Sequence, residues 1–247
     1  MLTALGDGTL FGEYYGEGPV RVIWLHGWAR THQDFSGAAH QLAARGVSSL
    51  GLDLPGFGAS GEPGTVGGAR LYADLLSGVI GAAGEDLVLV GHSFGGTVAA
   101  VLGARAPERF RSLVLTGAPL LRRAPARAPW RYRLVRALAA RHLIGPDRLE
   151  AARQRYGSLD YRRASGVMRE VLVASLGESY EDELARLRLP VHLLWGGADT
   201  EVPVSVAERA ITVLGGAHEL RVLEGVGHLV PTEAPDALAE VVAGALA

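Results

Sequence analysis

Three residue types able to do acyl-transfer chemistry recur in this sequence, each set in a glycine-rich turn that follows an apolar run. Gly91-His92-Ser93-Phe94-Gly95 places Ser93 between the apolar residues 87–90 and a helical pattern opened by Gly95-Gly96-Thr97-Val98-Ala99. A serine on a sharp strand-to-helix turn is a nucleophile elbow, and small neighbours are needed because such a turn is strained and tightly packed. A serine hydroxyl attacks a carbonyl only if a base takes its proton, and the base needs an acid to orient it. Asp199, in Gly196-Gly197-Ala198-Asp199, follows the apolar run 191–195, and His228, in Gly225-Val226-Gly227-His228, follows the run 220–223. Each falls just past the end of a strand, and the chain order Ser, Asp, His is that of serine hydrolases on a doubly wound sheet. Glu201 and Glu224 are rival acids for the Asp199 role.

The other histidines fit this pattern less well. His32, His40, His142 and His218 fall in helical or loop stretches and read as surface residues, while His192 lies within a strand. His26 and His92 adjoin the turns of interest and are assigned supporting roles. A tetrahedral intermediate needs fixed donors for its oxyanion, each contributing about 3–4 kcal/mol in a water-excluded site. The backbone amides of Phe94, directly after Ser93, and of Trp28, in His26-Gly27-Trp28, are the candidates, and both side chains are also assigned to the substrate site. Asp53 reads as a turn former whose carboxylate bonds the following backbone. Cysteine is absent, which excludes disulfides, thiolate nucleophiles and Cys-based zinc sites. No His-Glu-x-x-His or paired acid-histidine spacing is present, and the glycine-rich segment 56–68 lacks the Lys-Ser/Thr of a phosphate cradle. The expectation is chemistry without a metal or cofactor.

These turns need a scaffold that brings distant strand ends to one edge. The apolar runs 20–25, 48–52, 87–90, 112–116, 191–195 and 220–223 read as strands buried on both faces, as in a parallel sheet covered by helices. Helical patterns over 33–45, 70–81, 94–106, 204–214 and 234–246 alternate with them, which makes the class α/β. Residues 9–15 alternate more and read as an edge hairpin strand. The alternation fails over 119–189, which reads as three or four helices broken near Gly145-Pro146, Gly157 and Gly177. The expected division is therefore a core of 1–118 and 190–247 and a helical cap of 119–189, inserted at the sheet edge where ligands bind in such folds.

With 247 residues, 48% of them hydrophobic and 20% charged, the chain has ordinary globular usage. Its N-terminal residues resemble no leader, no apolar run is long enough to span a membrane, and a soluble cytoplasmic protein is expected. The net charge of −2 conceals an asymmetry: residues 119–189 hold 15 Arg and 8 acids, a net of +7, against 9 Arg and 18 acids, a net of −9, elsewhere. Lys is absent throughout. In residues 130–143, Trp130, Leu134 and Leu138 share one helix face suited to covering a pocket, with several arginines facing outward. Those arginines are either a solvated face or a docking surface for an acidic partner such as an acyl carrier protein.

Taken together, His26-Gly27-Trp28, Asp53-Leu54-Pro55-Gly56-Phe57-Gly58, Gly91-His92-Ser93-Phe94-Gly95-Gly96, Gly196-Gly197-Ala198-Asp199 and Gly227-His228 resemble the α/β-hydrolase superfamily. The resemblance implies an α/β-hydrolase fold, a mostly parallel eight-stranded sheet with a helical cap between strands six and seven, and a triad of Ser93, Asp199 and His228. Size, the His-Gly-Trp loop and the Arg-rich cap are similar to the pimeloyl-carrier-protein methyl ester esterases of biotin synthesis, which implies a carboxylic ester as substrate. Small carboxylesterases, enol-lactonases and carbon–carbon bond hydrolases share most of these motifs. A cofactor-free perhydrolase or a ligand receptor on the same fold remain as alternatives. Serine at the elbow argues against the relatives that use an aspartate nucleophile.

Overall fold

Valine, isoleucine and leucine fill the central strands without polar alternation, and successive side chains point into different layers. Ile23 and Leu25 enter one apolar cluster while Val22 and Trp24 enter another, and Leu87 and Leu89 are divided from Val88 and Val90 in the same way. A sheet apolar on both faces must be covered on both. The computed structural model, which describes residues 1–121, 130–156 and 159–247, shows how.

The chain runs β1 (Leu2–Leu5), β2 (Leu10–Tyr15), β3 (Val20–Leu25), a 3₁₀ turn (His32–Phe35), α1 (Ser36–Ala44), β4 (Ser48–Asp53), α2 (Ala69–Ala83), β5 (Leu87–His92), α3 (Phe94–Arg105) and β6 (Phe110–Thr116). Five helices follow among the described residues: α4 (Trp130–Ala140), α5 (Pro146–Tyr156), α6 (Leu159–Arg163), α7 (Gly166–Gly177) and α8 (Glu181–Arg186). The chain then continues through β7 (Val191–Gly196), α9 (Val204–Ile211), β8 (His218–Leu223), α10 (Val230–Glu233) and α11 (Pro235–Ala245). The eight strands form one sheet in the order β1-β2-β4-β3-β5-β6-β7-β8. β1 and β2 pair antiparallel, as do β2 and β4, and the remaining neighbours are parallel. Side chains of α2, α3, α8 and α9 cover one face and those of α1 and α11 the other. From β3 the chain moves to β4 on one side and then to β5 on the other. The crevice at such a reversal of strand order is where open α/β sheets bind ligands.

Several expectations need correction. Residues 9–15 form a hairpin strand, but the sheet edge belongs to β1, whose four residues give little signal. The run 220–223, expected to be buried on both faces, is the exposed opposite edge, β8, which starts at His218. Residues 119–189 hold five described helices rather than three or four; Gly145-Pro146 and Gly177 do bound helices, and Gly157 lies outside the described residues. The apolar face expected of 130–143 covers little: Trp130 is 68% exposed, Leu134 and Leu143 are also exposed, and α4 has no buried residue. The end of this segment is anchored more firmly. Tyr180, Leu184 and Leu187 are buried in the core, and Arg70 of α2 binds Glu183 at 2.7 and 3.0 Å and the Ser179 carbonyl at 2.9 Å.

Candidate active site

Ser93 lies between β5 and α3 with φ 50° and ψ −117°, a conformation costly for a residue with a side chain. The surrounding packing holds it there. A Cβ on Gly91 would come within 2.5 Å of the Gly95 carbonyl oxygen, and one on Gly95 would collide with the Leu25 and His26 carbonyls. The Ser93 amide donates to the Thr116 carbonyl at 2.8 Å, tying the turn to β6, and the Ser93 carbonyl accepts from the Gly96 and Thr97 amides to begin α3.

His228 sits after β8 and Asp199 after β7. The imidazole Nδ1 is 2.8 Å from Asp199 Oδ2, and Nε2 is 3.2 Å from Ser93 Oγ. With Asp199 ionised, Nδ1 carries the hydrogen and Nε2 accepts the one from Ser93. The second carboxylate oxygen of Asp199 accepts the amides of Glu201 and Val202, both at 2.8 Å, so the buried acid is held from three sides. Glu201 lies beside the other ring nitrogen, 3.7 Å from Nε2, and Glu224 is exposed. Burial disfavours the imidazolium, but the hydrogen bond and charge of Asp199, with the charges of Glu201 and Glu233, outweigh it and raise the His228 pKa.

The predicted supporting residues surround this line. His92 is buried, donates to or accepts from Thr116 Oγ1 at 2.9 Å, and its ring centroid is 4.9 Å from that of His228. Burial first, then the nearby His228 charge, lowers its pKa to about 3, so it stays neutral. His26 is also buried and neutral, with its pKa lowered to about 4 chiefly by burial. Its Nε2 accepts the Leu54 amide at 2.9 Å and its Nδ1 donates to the Gly27 carbonyl at 2.7 Å, fastening the 26–28 loop to the end of β4. Gly27 runs close beside Ser93, since a Cβ there would be 3.2 Å from that of Ser93. The Trp28 ring packs edge-on against Phe57 and Phe94 at 4.9 and 5.7 Å between centroids.

Other residues depart from expectation. His32 is buried, not on the surface: its ring meets Asp53 at 2.7 Å and Glu13 at 3.2 Å. Asp53 does form a turn, accepting the Ala59 amide at 3.0 Å, and its other oxygen accepts the His32 amide at 3.0 Å as well. Sequence reasoning missed Glu233, whose carboxylate accepts the amides on both sides of His228, Gly227 at 2.6 Å and Leu229 at 3.0 Å. An acid one short turn after a candidate histidine was the available signal. It also missed Gly117, at φ 53°, where a Cβ would stand 2.9 Å from the His228 ring.

The chain matches the alpha/beta hydrolase family over residues 22–241. It belongs to that family. Among curated proteins, this hydrolase is 30% identical to the pimeloyl-acyl-carrier-protein methyl ester esterase of Chromobacterium violaceum, over 93% of this chain and 87% of that protein. It is 29% identical to the protein of the same name from Aromatoleum aromaticum, over 84% of this chain and 90% of the other. Among solved structures, an esterase from Exiguobacterium antarcticum superposes with a TM-score of 0.75 at 22% identity, over 99% of this chain and 98% of that one, which shows the shared fold. No helix among the described residues is long and apolar enough to cross a membrane.

Cavities lie beside the helices of residues 130–177 in this hydrolase. One of about 230 Å³ adjoins the 26–28 loop and is lined by Trp28, Phe57, Glu62, Arg163 and Met168. A larger one, about 660 Å³, lies among α4, α5 and α7, with Tyr132, Arg136, Leu149, Arg153 and Leu176 on its walls. Of these two, the smaller is lined by Trp28, whose ring packs against Phe94 next to Ser93. Arg136 is exposed, in keeping with the outward-facing arginines expected of this helix, and also borders the larger one.

Proposed function

We propose that this chain hydrolyses carboxylic esters through an acyl-enzyme, with Ser93 as nucleophile, His228 as general base and acid, and Asp199 as the acid that orients it. The single observation that carries this reading is the unbroken line of hydrogen bonds from Asp199 through His228 to Ser93, at 2.8 and 3.2 Å, ending on a serine held at positive φ. The Ser93 proton passes to His228 Nε2 as Oγ bonds the ester carbonyl carbon, and the carbonyl electrons move onto oxygen. The Trp28 and Phe94 amides stabilise that oxyanion. Collapse breaks the bond to the alcohol oxygen, which leaves with the proton from Nε2. Water then repeats the sequence on the acyl-enzyme and releases the acid. Asp199 stays ionised throughout and favours the imidazolium that forms in both steps.

In this reading, residues 119–189 are a cap over a core formed by 1–118 and 190–247. The finer assignment is a methyl ester esterase acting on a dicarboxylate borne by an acyl carrier protein, supported by the names of the two relatives and by the +7 charge of 119–189. Turnover of a p-nitrophenyl ester tests the triad. Replacing Ser93 or His228 by Ala should reduce kcat by about 10⁶-fold, and Asp199→Asn by about 10⁴-fold, because the three act as a unit. Full activity in Asp199→Asn together with loss in a Glu201 or Glu224 variant would transfer the orienting role to another acid.

A further inference from the structure

In the proposed mechanism the Trp28 amide must keep a fixed place beside Ser93, yet the segment that carries it, residues 26–31, is the loop joining β3 to the 3₁₀ turn. Its backbone is strained at the residue after Trp28. Ala29 has φ 54°, a region that is costly for a residue with a side chain and persists only where the surroundings enforce it. Histidines at the two ends of the loop supply that enforcement, by gripping consecutive residues where β4 finishes. At one end His26 Nε2 accepts the Leu54 amide at 2.9 Å. At the other, His32 meets a single oxygen of Asp53 twice, donating its amide at 3.0 Å and placing its ring Nδ1 at 2.7 Å. We propose that Asp53 and His32 are positioning residues for the oxyanion hole, holding the far end of this loop so that the Trp28 amide stays in place. This rests on the triad and oxyanion reading above.

The anchor is itself firmly held. Asp53 ends β4 and is buried, and its second carboxylate oxygen accepts the Ala59 amide at 3.0 Å. Burial disfavours its charge, but the amides of His32 and Ala59 and the His32 ring outweigh it and keep the carboxyl below its ordinary range, so it accepts from Nδ1. The Asp53 carbonyl accepts the Ser60 hydroxyl at 2.6 Å. Gly58, at φ 57°, passes so close that a Cβ there would collide with the Asp53 carboxylate. The turn closed in this way carries Phe57, whose ring packs edge-on against His26 at 5.6 Å and Trp28 at 4.9 Å between centroids. One carboxylate therefore holds the oxyanion loop directly through His32 and indirectly through Phe57. The other ring nitrogen of His32 lies 3.2 Å from Glu13 on β2, so the two nitrogens make separable contacts.

Asparagine and glutamine distinguish those contacts, because the Asn amide nitrogen can stand where Nδ1 does and the Gln amide nitrogen where Nε2 does. With p-nitrophenyl acetate, His32→Ala should lower kcat by about 10- to 100-fold with KM nearly unchanged, the scale of an oxyanion donor displaced by about 1 Å rather than removed. His32→Asn should restore most of that loss and His32→Gln little of it. Phenylboronic acid, which a nucleophilic Ser93 binds as a tetrahedral anion, should show an inhibition constant that rises by the same factor as kcat/KM falls across the three variants. A general loss of packing would not produce that correspondence. Both amide variants keep a hydrogen-bonding side chain, so the comparison between them decides the matter if His32→Ala does not fold. Parental kcat in a folded His32→Ala variant, equal activity in the Asn and Gln variants, or a fall in kcat/KM without a matching rise in the boronate constant would overturn the proposal while leaving the triad reading intact. Failure of the parent to hydrolyse the ester would instead remove the reading on which it rests.

Discussion

In the proposed mechanism, the proton on His228 decides whether Ser93 can react. Only the neutral imidazole can accept it, and the histidine pKa is raised above 6.5 because Asp199, Glu201 and Glu233 outweigh burial. The kcat/KM profile should therefore fall on the acid side with a limb above 6.5, and a limb below 6.5 would contradict the site as described. The stability contribution of the same group has the opposite sign. It is fully present below the unfolded pKa and is lost as pH rises through the raised folded value. At this scale the sequence was informative wherever a residue type is tied to a turn: Ser93, Asp199 and His228 each follow a strand and a glycine. It was uninformative for His32, because nothing local distinguishes a histidine that meets a distant buried Asp53 from one on the surface. Glu201 was weighed only as a rival to Asp199, since the side of the ring it meets depends on how β7 and β8 lie together.

Elements place these residues through backbone contacts as much as through side chains. The central strands were legible because apolar runs without alternation are required of strands buried on both faces. β8 was misread because its apolar residues sit at an exposed edge, and β1 was missed because it is short and mostly exposed. The His228 loop depends on α10, whose Glu233 holds the amides of Gly227 and Leu229. Glu233→Ala should free that loop and lower kcat by about 10- to 100-fold, the scale expected from a misplacement of about 1 Å. KM should change far less, because Glu233 acts through the backbone that positions His228. Parental kcat in a folded Glu233→Ala variant would show that the loop is positioned by other contacts.

Across the whole molecule, charge is segregated: a net of +7 over 119–189 against −9 elsewhere. The reversal of strand order at β3 and β5 places the site at the sheet edge, and the 119–189 segment follows β6 at that same edge. The alternation of strand and helix made this architecture readable, whereas the packing within 119–189 was not, because a helical periodicity does not say which neighbour covers the apolar face. Trp130 and Leu134 illustrate this, with helical spacing but exposed side chains. If the segment docks an acidic carrier, charge removal at Arg133, Arg136 and Arg141 should raise KM for a carrier-bound methyl ester and reduce its salt sensitivity. Small soluble esters should be hydrolysed as before. Equal losses on both substrates would indicate damage to the 119–189 segment, and no loss on either would return these arginines to an ordinary solvated face.

The central claim is that Ser93 becomes acylated, and intact-protein mass spectrometry after treatment with a serine-directed phosphonate tests it most directly. The parent should gain one phosphonyl group per chain, located by peptide mapping to Ser93, and Ser93→Ala should gain none. An unmodified parent, or a Ser93→Ala variant labelled as fully as the parent, would contradict the account.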